Sequence, residues 1–428
     1  MKNYQNPRGT VDLLPETVKK WKQLERLMNE FCTVYGYDEI RTPIFEDTSV
    51  FKRENDSSDM VNKEMYTFSI NQSDFLTLRP EGTAGVIRSF VQHKAYGSQE
   101  LPVKYSYLGP MFRYERPQKG RQRQFWQFGV ENIGLKNPLI DVEVMVLGYS
   151  IIKALGIDDI KVLVNTLGDD ASRSAYREAL QTYFKPYVDG LCGDCKRRYE
   201  QNPLRILDCK VDKDQECMHN VPALKEYLNE ESKAYFEQVL AGLDALDIPY
   251  EIDNNLVRGL DYYTHTVFEV VSTHPESGSQ STIFAGGRYD NLVSYFNGPE
   301  LSGVGFAMGM ERLLILIEAL NIDLNVEKGI DCYVMRLGEV GCAPLEIVTM
   351  LRSAGYTSEF AAEAKSLKAQ FKSVDRKQAR FAIIVGESEL AQNEVVVKDT
   401  RTREQYTVKI EQLIDQLDHL SQDEHHEH

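Results

Sequence analysis

Two segments that lie far apart in the chain carry the side chains best suited to chemistry on a phosphorylated ligand. The first covers residues 111–115 and continues through 121–125, and the second covers residues 303–312. Guanidinium groups hold phosphate oxygens through paired hydrogen bonds and stay charged at every ordinary pH. The arginines of these segments, together with nearby carboxylates and aromatic rings, therefore predict a nucleotide-activating site.

The first segment predicts a strand, a basic loop and a return strand from residue 125 to 133. Side chains of a strand alternate between its two faces. One face of the return strand carries Phe125, Gln127, Gly129 and Glu131, and the other carries Trp126, Phe128 and Val130. The apolar set indicates the core, so the other face predicts a polar cleft shared with Arg113 and Glu115.

The second segment is a string of glycines before an apolar helical stretch at 310–320. A dinucleotide-binding site is not indicated, because Met308 stands where that motif needs a small residue and no parallel βαβ unit is apparent. A phosphate-cradling loop that ends in Gly-Lys-Ser or Gly-Lys-Thr is also absent from the sequence. Glycines alone indicate turns or close packing. The residue of this segment that could hold a phosphate is Arg312, at the predicted helix start.

The elements around these segments favour an α/β protein, with an α+β core in which helices flank an antiparallel sheet. A helix is predicted after Pro15 from its apolar spacing, and it ends at Gly36. Turn-forming residues at 71–74 predict antiparallel pairing of the strands on either side. Further strands are predicted at 103–108, 262–272 and 281–285, with hairpin-like links.

The chain of 428 residues is too long for a single hydrophobic core. A composition shift after residue 321 predicts a separate small α/β domain, and charged helical patterns with scattered cysteines predict an inserted helical domain. The predicted divisions are a core at 1–322 with the insertion at about 170–250, a linker at 323–328, the small domain at 329–420 and a tail at 421–428.

Composition and charge exclude several classes of protein. A hydrophobic fraction of 42%, without a run long enough for a membrane span or a secretory signal, predicts a cytoplasmic protein with no membrane partner. The seven cysteines do not indicate a disulfide framework. A net charge of −16 argues against indiscriminate binding of nucleic acid, so any contact with nucleic acid would have to come from a local basic patch.

Residues 365–380 form such a patch, with six basic residues against one acidic residue. Spacings of three and four residues would display them as a stripe on a helix. Two interpretations stay open: a solvated helix face, which is preferred for the segment taken alone, or a contact with nucleic acid.

The segments at 112–115, 121–125 and 305–312 resemble motifs 2 and 3 of class II aminoacyl-tRNA synthetases. Pro43 is similar to the proline of motif 1, which lies at the dimer interface in that class. Three shorter strings narrow the resemblance to the histidyl-tRNA synthetase family. They are residues 78–83, 256–263 and 285–290, and the resemblance extends from Arg8 to about residue 410.

The resemblance implies a homodimer that activates L-histidine with ATP and Mg²⁺, releases pyrophosphate, and transfers histidine to the 3′ end of tRNA(His). It also implies that the small α/β domain binds the anticodon. A catalytically silent paralogue that senses histidine as a regulatory subunit is the alternative. It is disfavoured because Arg113, Arg258, Arg312 and the C-terminal domain are all present.

The resemblance also implies roles for individual residues. Arg113 and Arg258 would be catalytic, clamping the α-phosphate and the histidine carboxylate. The other ATP-binding residues would be Glu115 and Phe125 at adenine, with Arg121 and Arg312 at phosphates. Histidine would also be bound by Glu81, Thr83, Gln127, Glu131, Tyr262, Tyr263 and Tyr289. Contacts with tRNA would come from Arg116, Gln118 and Lys119 in the basic loop and from Lys372 and Arg376.

A possible zinc site rests on the residues alone and not on the resemblance. Cys192 and Cys195 form a Cys-x-x-Cys pair, and Cys209 and Cys217 follow at irregular spacings. Four thiolates can hold Zn²⁺ as a tetrahedral structural site. Because only one such pair is present, metal-free thiols are the preferred interpretation and zinc the alternative.

Overall fold

The computed structural model describes residues 3–53, 58, 60–71, 74–207, 209, 211–257, 260–275, 281–326 and 329–422. The chain forms two compact units that divide between Leu324 and Asn325. Within the described ranges, no helix has both the length and the apolar character needed to cross a bilayer.

The first unit combines helices with two sheets. Its helices are α1 (Pro15–Val34), α2 (Thr83–Gln92), α3 (Ala95–Ser98), α4 (Pro138–Ala154), α5 (Asp170–Phe184), α6 (Gly193–Gln201), α7 (Glu230–Ala245), α8 (Leu292–Tyr295) and α9 (Met310–Ala319). Its strands are β1 (Asp38–Glu39), β2 (Phe45–Asp47), β3 (Tyr66–Ser69), β4 (Phe75–Leu78), β5 (Val103–Phe112), β6 (Gln124–Ile133), β7 (Ile160–Thr166), β8 (Tyr250–Ile252), β9 (Thr264–Ser272), β10 (Thr282–Tyr289) and β11 (Gly303–Gly309).

The large sheet has the strand order β1-β5-β6-β11-β10-β9-β7-β8. Its two edge pairs are parallel and its inner pairs are antiparallel. A smaller antiparallel sheet has the order β2-β4-β3, as the turn formers at 71–74 predicted. The predicted antiparallel sheet with flanking helices is therefore confirmed.

Helices cover both faces of the large sheet. On one face, α1 begins at Pro15 and buries residues spaced by three or four, among them Trp21, Leu24 and Met28. These side chains share a core with Phe128 of β6 and Phe306 of β11. The opposite face, with Tyr107, Tyr263 and Tyr289, packs against α2 and the segment between β7 and β8. The polar side chains of β6 lie on this second face.

The segment at 167–249 leaves the large sheet after β7 and returns to it at β8. It contains α5, α6, several 3₁₀ turns and α7. Helix α7 packs along α4, and its Val239 and Leu243 belong to the same core as α1. The last helix of this segment is therefore part of the main body of the first unit.

One motif residue has a purely structural position. Nε of Arg288 on β10 donates a 2.8 Å hydrogen bond to Oδ1 of Asp141 on α4, and both side chains are completely buried. Oγ1 of Thr266 donates to Oδ2 of the same carboxylate at 2.5 Å. A buried charge needs such pairing, so Arg288 ties α4 to the sheet.

The second unit is a small α/β domain, as the composition shift predicted. Its helices are α10 (Ala343–Ser353), α11 (Leu367–Lys377), α12 (Glu387–Ala391) and α13 (Leu413–Gln422). Its strands are β12 (Cys332–Leu337), β13 (Ser358–Phe360), β14 (Phe381–Gly386), β15 (Glu394–Asp399) and β16 (Gln405–Lys409), in the order β13-β12-β14-β15-β16. Residues 327–328 of the predicted linker and residues 423–428 of the predicted tail lie outside the described residues.

Candidate functional site

One cavity on the second face of the large sheet contains about 990 Å³ of empty space, counted out to its open mouth. The residues predicted for ATP and histidine line it together. They are Glu81, Thr83, Arg113, Glu115, Arg121, Phe125, Gln127, Glu131, Tyr262, Tyr263, Tyr289 and Arg312. Arg258, which was predicted with them, lies outside the described residues. The two chemically active segments therefore meet at a single cavity.

The hairpin of β5 and β6 has the predicted parity, with Met111 opposite Phe125 and Tyr107 opposite Gly129. One detail differs from the prediction, because β5 ends at Phe112 and so Arg113 and Glu115 follow the strand. Nε of Arg113 donates to the carbonyl oxygen of Pro80 at 2.9 Å, which fixes the side chain beyond the strand end.

Arginines converge at one end of the cavity. Nη1 of Arg121 lies 3.0 Å from Oε2 of Glu115, and Nη1 of Arg113 lies 4.0 Å from Oε1 of the same carboxylate. Nε of Arg312 donates to the carbonyl oxygen of Gly120 at 3.3 Å. Burial and then the neighbouring charge of Arg121 lower the pKa of Arg312. Crowded cations of this kind form a site for a polyanion.

An aromatic ring stands beside this cationic end. The guanidinium carbon of Arg113 lies 5.2 Å from the ring centroid of Phe125. The ring lines the cavity from the start of β6. A flat group that entered here would therefore meet an aromatic face on one side and charged groups nearby.

The other end of the cavity is acidic and phenolic. The buried carboxylate of Glu131 accepts hydrogen bonds from Oγ1 of Thr83 at 2.6 Å and from the hydroxyl of Tyr289 at 2.7 Å. Burial raises the pKa of Glu131 to about 8, although these hydrogen bonds act in the opposite direction. Glu81 accepts from the backbone N–H groups of Thr83 and Ala84 at 2.7 and 2.9 Å, at the start of α2. Burial also raises the pKa of Glu81.

Two polar atoms near this end are buried without a hydrogen-bond partner among the described residues. They are Oε1 of Gln127 and the hydroxyl of Tyr262. Leaving such a group unsatisfied typically costs about 1–3 kcal/mol. Both residues line the cavity, so a polar ligand is the partner that would offset this cost. Tyr262 and Tyr263 precede β9, which begins at Thr264, whereas a strand from residue 262 was predicted.

The glycines allow strands and side chains to approach closely. A Cβ atom on Gly305 would lie 2.1 Å from Oε2 of Glu131, and one on Gly303 would lie 2.2 Å from the ring of Tyr289. Strand β11 runs antiparallel to both β6 and β10, so the segment is not part of a dinucleotide-binding unit. The glycines therefore make room for the acidic and phenolic side chains.

Sequence reasoning missed Tyr107 and Glu311. The ring of Tyr107 lies over Gly129, where a Cβ atom would come within 2.3 Å of it, and its hydroxyl is 3.4 Å from Oε1 of Glu131. The register of the β5–β6 hairpin places Tyr107 opposite Gly129, and side-chain parity alone does not give this pairing. Glu311 lines the cavity and accepts from the backbone N–H of Trp126 at 3.0 and 3.1 Å. Burial raises its pKa to about 7.

The residues predicted for tRNA are exposed. Arg116, Gln118 and Lys119 lie in the loop between β5 and β6. Lys372 and Arg376 lie on α11, which buries Gln370 and Val374 on its opposite side. Among the described residues, neither Lys372 nor Arg376 forms an ion pair, whereas Lys365 pairs with Glu363 and Lys377 pairs with Glu359.

The structure corrects the predicted set of cysteines. Cys192, Cys195 and Cys209 lie together, but the fourth member of the group is Asp212 and not Cys217. The Cys217 sulfur lies 3.8 Å from Oε1 of Gln215 instead. Asp212 was not predicted, because a single aspartate in a charged segment usually indicates only a solvated surface.

Comparisons with known proteins agree with this geometry. Residues 9–313 match the family model described as histidyl-tRNA synthetase, and residues 331–420 match the anticodon binding domain. Histidine–tRNA ligase of Bacillus subtilis (strain 168) is 52% identical over 413 residues, which cover 96% of this chain and 97% of the relative. The enzyme of the same name from Geobacillus thermodenitrificans (strain NG80-2) is 51% identical over 412 residues, which cover 96% and 97%.

A solved structure is similar over the whole chain. The crystal structure of apo S. aureus histidyl-tRNA synthetase has a TM-score of 0.83 and 40% identity, and the match covers 97% of this chain and 100% of that one. The family match, the relatives and the shared fold lead to one conclusion. The chain belongs to the histidyl-tRNA synthetase family.

Proposed function

We propose that the protein is a histidine–tRNA ligase. In the first step a carboxylate oxygen of L-histidine attacks the α-phosphorus of ATP, the bond to the β-phosphate oxygen breaks, and histidyl-adenylate and pyrophosphate form. In the second step a ribose hydroxyl at the 3′ end of tRNA(His) takes the histidyl group and AMP leaves. The observation that carries the proposal is one cavity with arginines at one end and a buried acid among phenols at the other.

The arginine end is suited to ATP. Arg113, with Arg258, would hold the α-phosphate and the histidine carboxylate, and Arg121 and Arg312 would neutralise the outer phosphates. Phe125 would stack on adenine, with Glu115 near its amino group. ATP would enter with Mg²⁺, which takes its ligands mainly from phosphates and water. Glu311 also lines the cavity, so its carboxylate could supply a protein oxygen.

The acidic end is suited to histidine. Glu81, Thr83 and Gln127 would bind the α-amino group, Glu131 and Tyr263 the imidazole nitrogens, and Tyr262 and Tyr289 would form the walls. Glu131 already accepts hydrogen bonds from the hydroxyls of Thr83 and Tyr289. A carboxylate offers about four lone-pair sites, so Glu131 can also accept a hydrogen bond from an imidazole N–H.

For tRNA, we propose that the loop with Arg116, Gln118 and Lys119 contacts the acceptor end and that α11 contacts the anticodon region. Lys372 and Arg376 are exposed and form no ion pair with the part of the chain that the structure describes, which supports this interpretation over a merely solvated face. Such contacts would be local, because the whole chain carries a charge of −16.

Replacing both Lys372 and Arg376 by alanine is expected to weaken tRNA(His) binding by roughly an order of magnitude and to flatten its salt dependence, because phosphate contacts release counterions. Filter binding over a range of salt concentrations measures both effects, and histidyl-adenylate formation should be unchanged. Lys409→Ala is the matched control, since Lys409 pairs with Glu394 in the same domain. Equal affinity and an equal salt slope in the double variant would show that α11 does not contact the tRNA.

We further propose a cytoplasmic homodimer with a catalytic core at 1–322, an insertion at about 170–250, a linker at 323–328 and an anticodon-binding domain at 329–420. The exposed aromatic residues Phe45, Phe68 and Phe75 of the small sheet, which follows Pro43, support a dimer surface. Sedimentation of the full chain measures this state, and a monomer at micromolar concentration would contradict it.

The silent regulatory paralogue is the less favoured alternative. Such a protein has no need for converging arginines or for an anticodon-binding domain, and this chain has both. Charging of tRNA(His) tests the proposal, with each of the common amino acids supplied in turn. Histidine alone should be attached, and only with ATP present. Histidine binding without any charging would favour the paralogue.

A further inference from the structure

A group of three thiols and one carboxylate, of which Cys192 is half-buried and the other three members are buried, lies in the segment between β7 and β8, away from the cavity. The possible ligand atoms of Cys192, Cys195, Cys209 and Asp212 all lie within 4.8 Å of one another. Cys195 is completely buried, and Cys209 and Asp212 are buried. We propose that these four side chains form a structural Zn²⁺ site.

The distances fit a tetrahedral ion. The sulfur atoms of Cys192 and Cys209 are 3.8 Å apart, and the Cys209 sulfur is 3.6 Å from Oδ2 of Asp212. Zinc bonds of about 2.3 Å to sulfur and about 2.0–2.2 Å to oxygen place tetrahedral ligands about 3.5–3.8 Å apart. These two pairs of donor atoms thus already have the spacing that the ion would impose, and all four donor atoms lie within 4.8 Å of one another.

The backbone repeats one arrangement on both sides of the group. The N–H of Cys195 donates to the Cys192 sulfur at 3.5 Å, and the N–H of Asp212 donates to the Cys209 sulfur at 3.4 Å. In each case the donor lies three residues after the sulfur. Hydrogen bonds of this kind orient a thiolate ligand and stabilise its charge. The pairs Cys192–Cys195 and Cys209–Asp212 therefore share the same spacing in the sequence and the same N–H to sulfur hydrogen bond.

The carboxylate is also held in place. The backbone N–H of Cys192 donates to Oδ1 and Oδ2 of Asp212 at 3.2 and 3.1 Å, and Nε2 of Gln215 donates to Oδ1 at 2.8 Å. A disulfide between Cys192 and Cys209 is the competing explanation. It would need a sulfur separation of about 2.05 Å and would leave Cys195 and Asp212 without a role.

The ion would stabilise a segment that supports the cavity wall. The four ligands join the start of α6 to Cys209 and Asp212, on either side of the 3₁₀ turn Pro203–Ile206. Nε of Arg205 in that turn lies 3.3 Å from Oδ1 of Asp261, which is next to Tyr262. Zinc would act on local stability and take no part in the chemistry.

Metal analysis of the full-length protein tests the site. Protein purified from zinc-supplemented cells and freed of loosely bound metal should contain about one Zn²⁺ per chain. Cys195→Ser and Asp212→Ala should each lose most of it. Cys217→Ser should retain it, which makes it the matched control, because Cys217 is a buried cysteine of the same segment outside the group. Wild-type protein without zinc, or equal zinc in all variants, would overturn the proposal.

A second measurement covers the case in which a variant fails to fold. Wild-type protein treated with a chelator and then titrated with Co²⁺ should develop the thiolate-to-cobalt charge-transfer bands of a tetrahedral site, and Zn²⁺ should abolish them. Absence of these bands would refute the site. A count of two fewer reactive thiols than the seven cysteines after denaturation would indicate the disulfide instead.

Discussion

Replacement of Arg113 by alanine is expected to slow histidyl-adenylate formation by roughly 10²–10³, the usual effect of removing one preorganised group that faces developing charge. Nε of Arg113 is fixed by the Pro80 carbonyl, and its guanidinium lies beside the ring of Phe125. In the proposed role, the side chain would therefore oppose charge on the α-phosphate without having to reorganise. Single-turnover measurement of adenylate formation, with saturating ATP and histidine, gives this rate directly.

Two further variants complete this test. The first separates the charge of Arg113 from the planar geometry of its guanidinium, and the second is a control. Arg113→Lys keeps the charge but loses the planar pair of donors, so a smaller loss than in Arg113→Ala is expected. Arg26→Ala removes an exposed arginine of α1 and should leave the rate unchanged. A folded Arg113→Ala protein with a rate within about threefold of wild type would contradict the role given to Arg113.

The change Glu131→Gln is expected to reduce histidine-dependent activity strongly while making the ligand-free protein more stable above neutral pH. A site built to hydrogen-bond its substrate can lose up to roughly 10⁴–10⁵ in discrimination when one polar pairing fails, and a loss of at least about 10² in kcat/KM is expected here. The amide would replace one carboxylate oxygen by an N–H donor group, which would face the hydroxyl of either Thr83 or Tyr289, because each hydroxyl now donates to a different oxygen of Glu131.

The expected gain in stability of the Glu131→Gln variant follows from the pKa of Glu131 in the wild type. Burial raises this pKa to about 8, above the ordinary value of 4.5 that applies in the unfolded chain. The contribution of Glu131 to stability is therefore fully present below about pH 4.5 and is lost as the pH rises through about 8. Compared with Glu131→Gln, the wild type should lose up to roughly 5 kcal/mol of unfolding free energy across this window.

Urea denaturation of wild type and Glu131→Gln, at about pH 5 and about pH 8.5, measures this difference. Glu143→Gln is the control, because Glu143 pairs with Lys104 outside the cavity. A stability difference between wild type and Glu131→Gln that does not change with pH would mean that Glu131 is ionised in the folded protein throughout the range.

The local features of the site could be predicted from the sequence. Alternation on the return strand correctly assigned Gln127 and Glu131 to the polar face and Phe128 to the core, because side-chain parity is a property of the strand itself. Turn-forming residues at 71–74 correctly predicted the antiparallel pairing of β3 and β4, because turn preference is also a local property of the sequence. These signals depend on residues close together in the chain.

Long-range pairing could not be predicted from the residues alone. Strand β11 lies between β6 and β10, and this order brings Arg312 to the end of the cavity where Arg113 and Arg121 lie. Periodicity does not encode strand order. Tyr107 was missed because its role depends on pairing with Gly129, and Asp212 was missed because a single aspartate in a charged segment usually indicates only a solvated surface.

The most direct test of the account is amino-acid-dependent exchange of labelled pyrophosphate into ATP, without tRNA. We expect rapid exchange with L-histidine and none above background with other amino acids, because Glu131 and the phenols that line the cavity would select an imidazole while the arginines would hold the triphosphate. Exchange that does not depend on histidine, or no exchange with a folded protein that binds both ATP and histidine, would contradict the account.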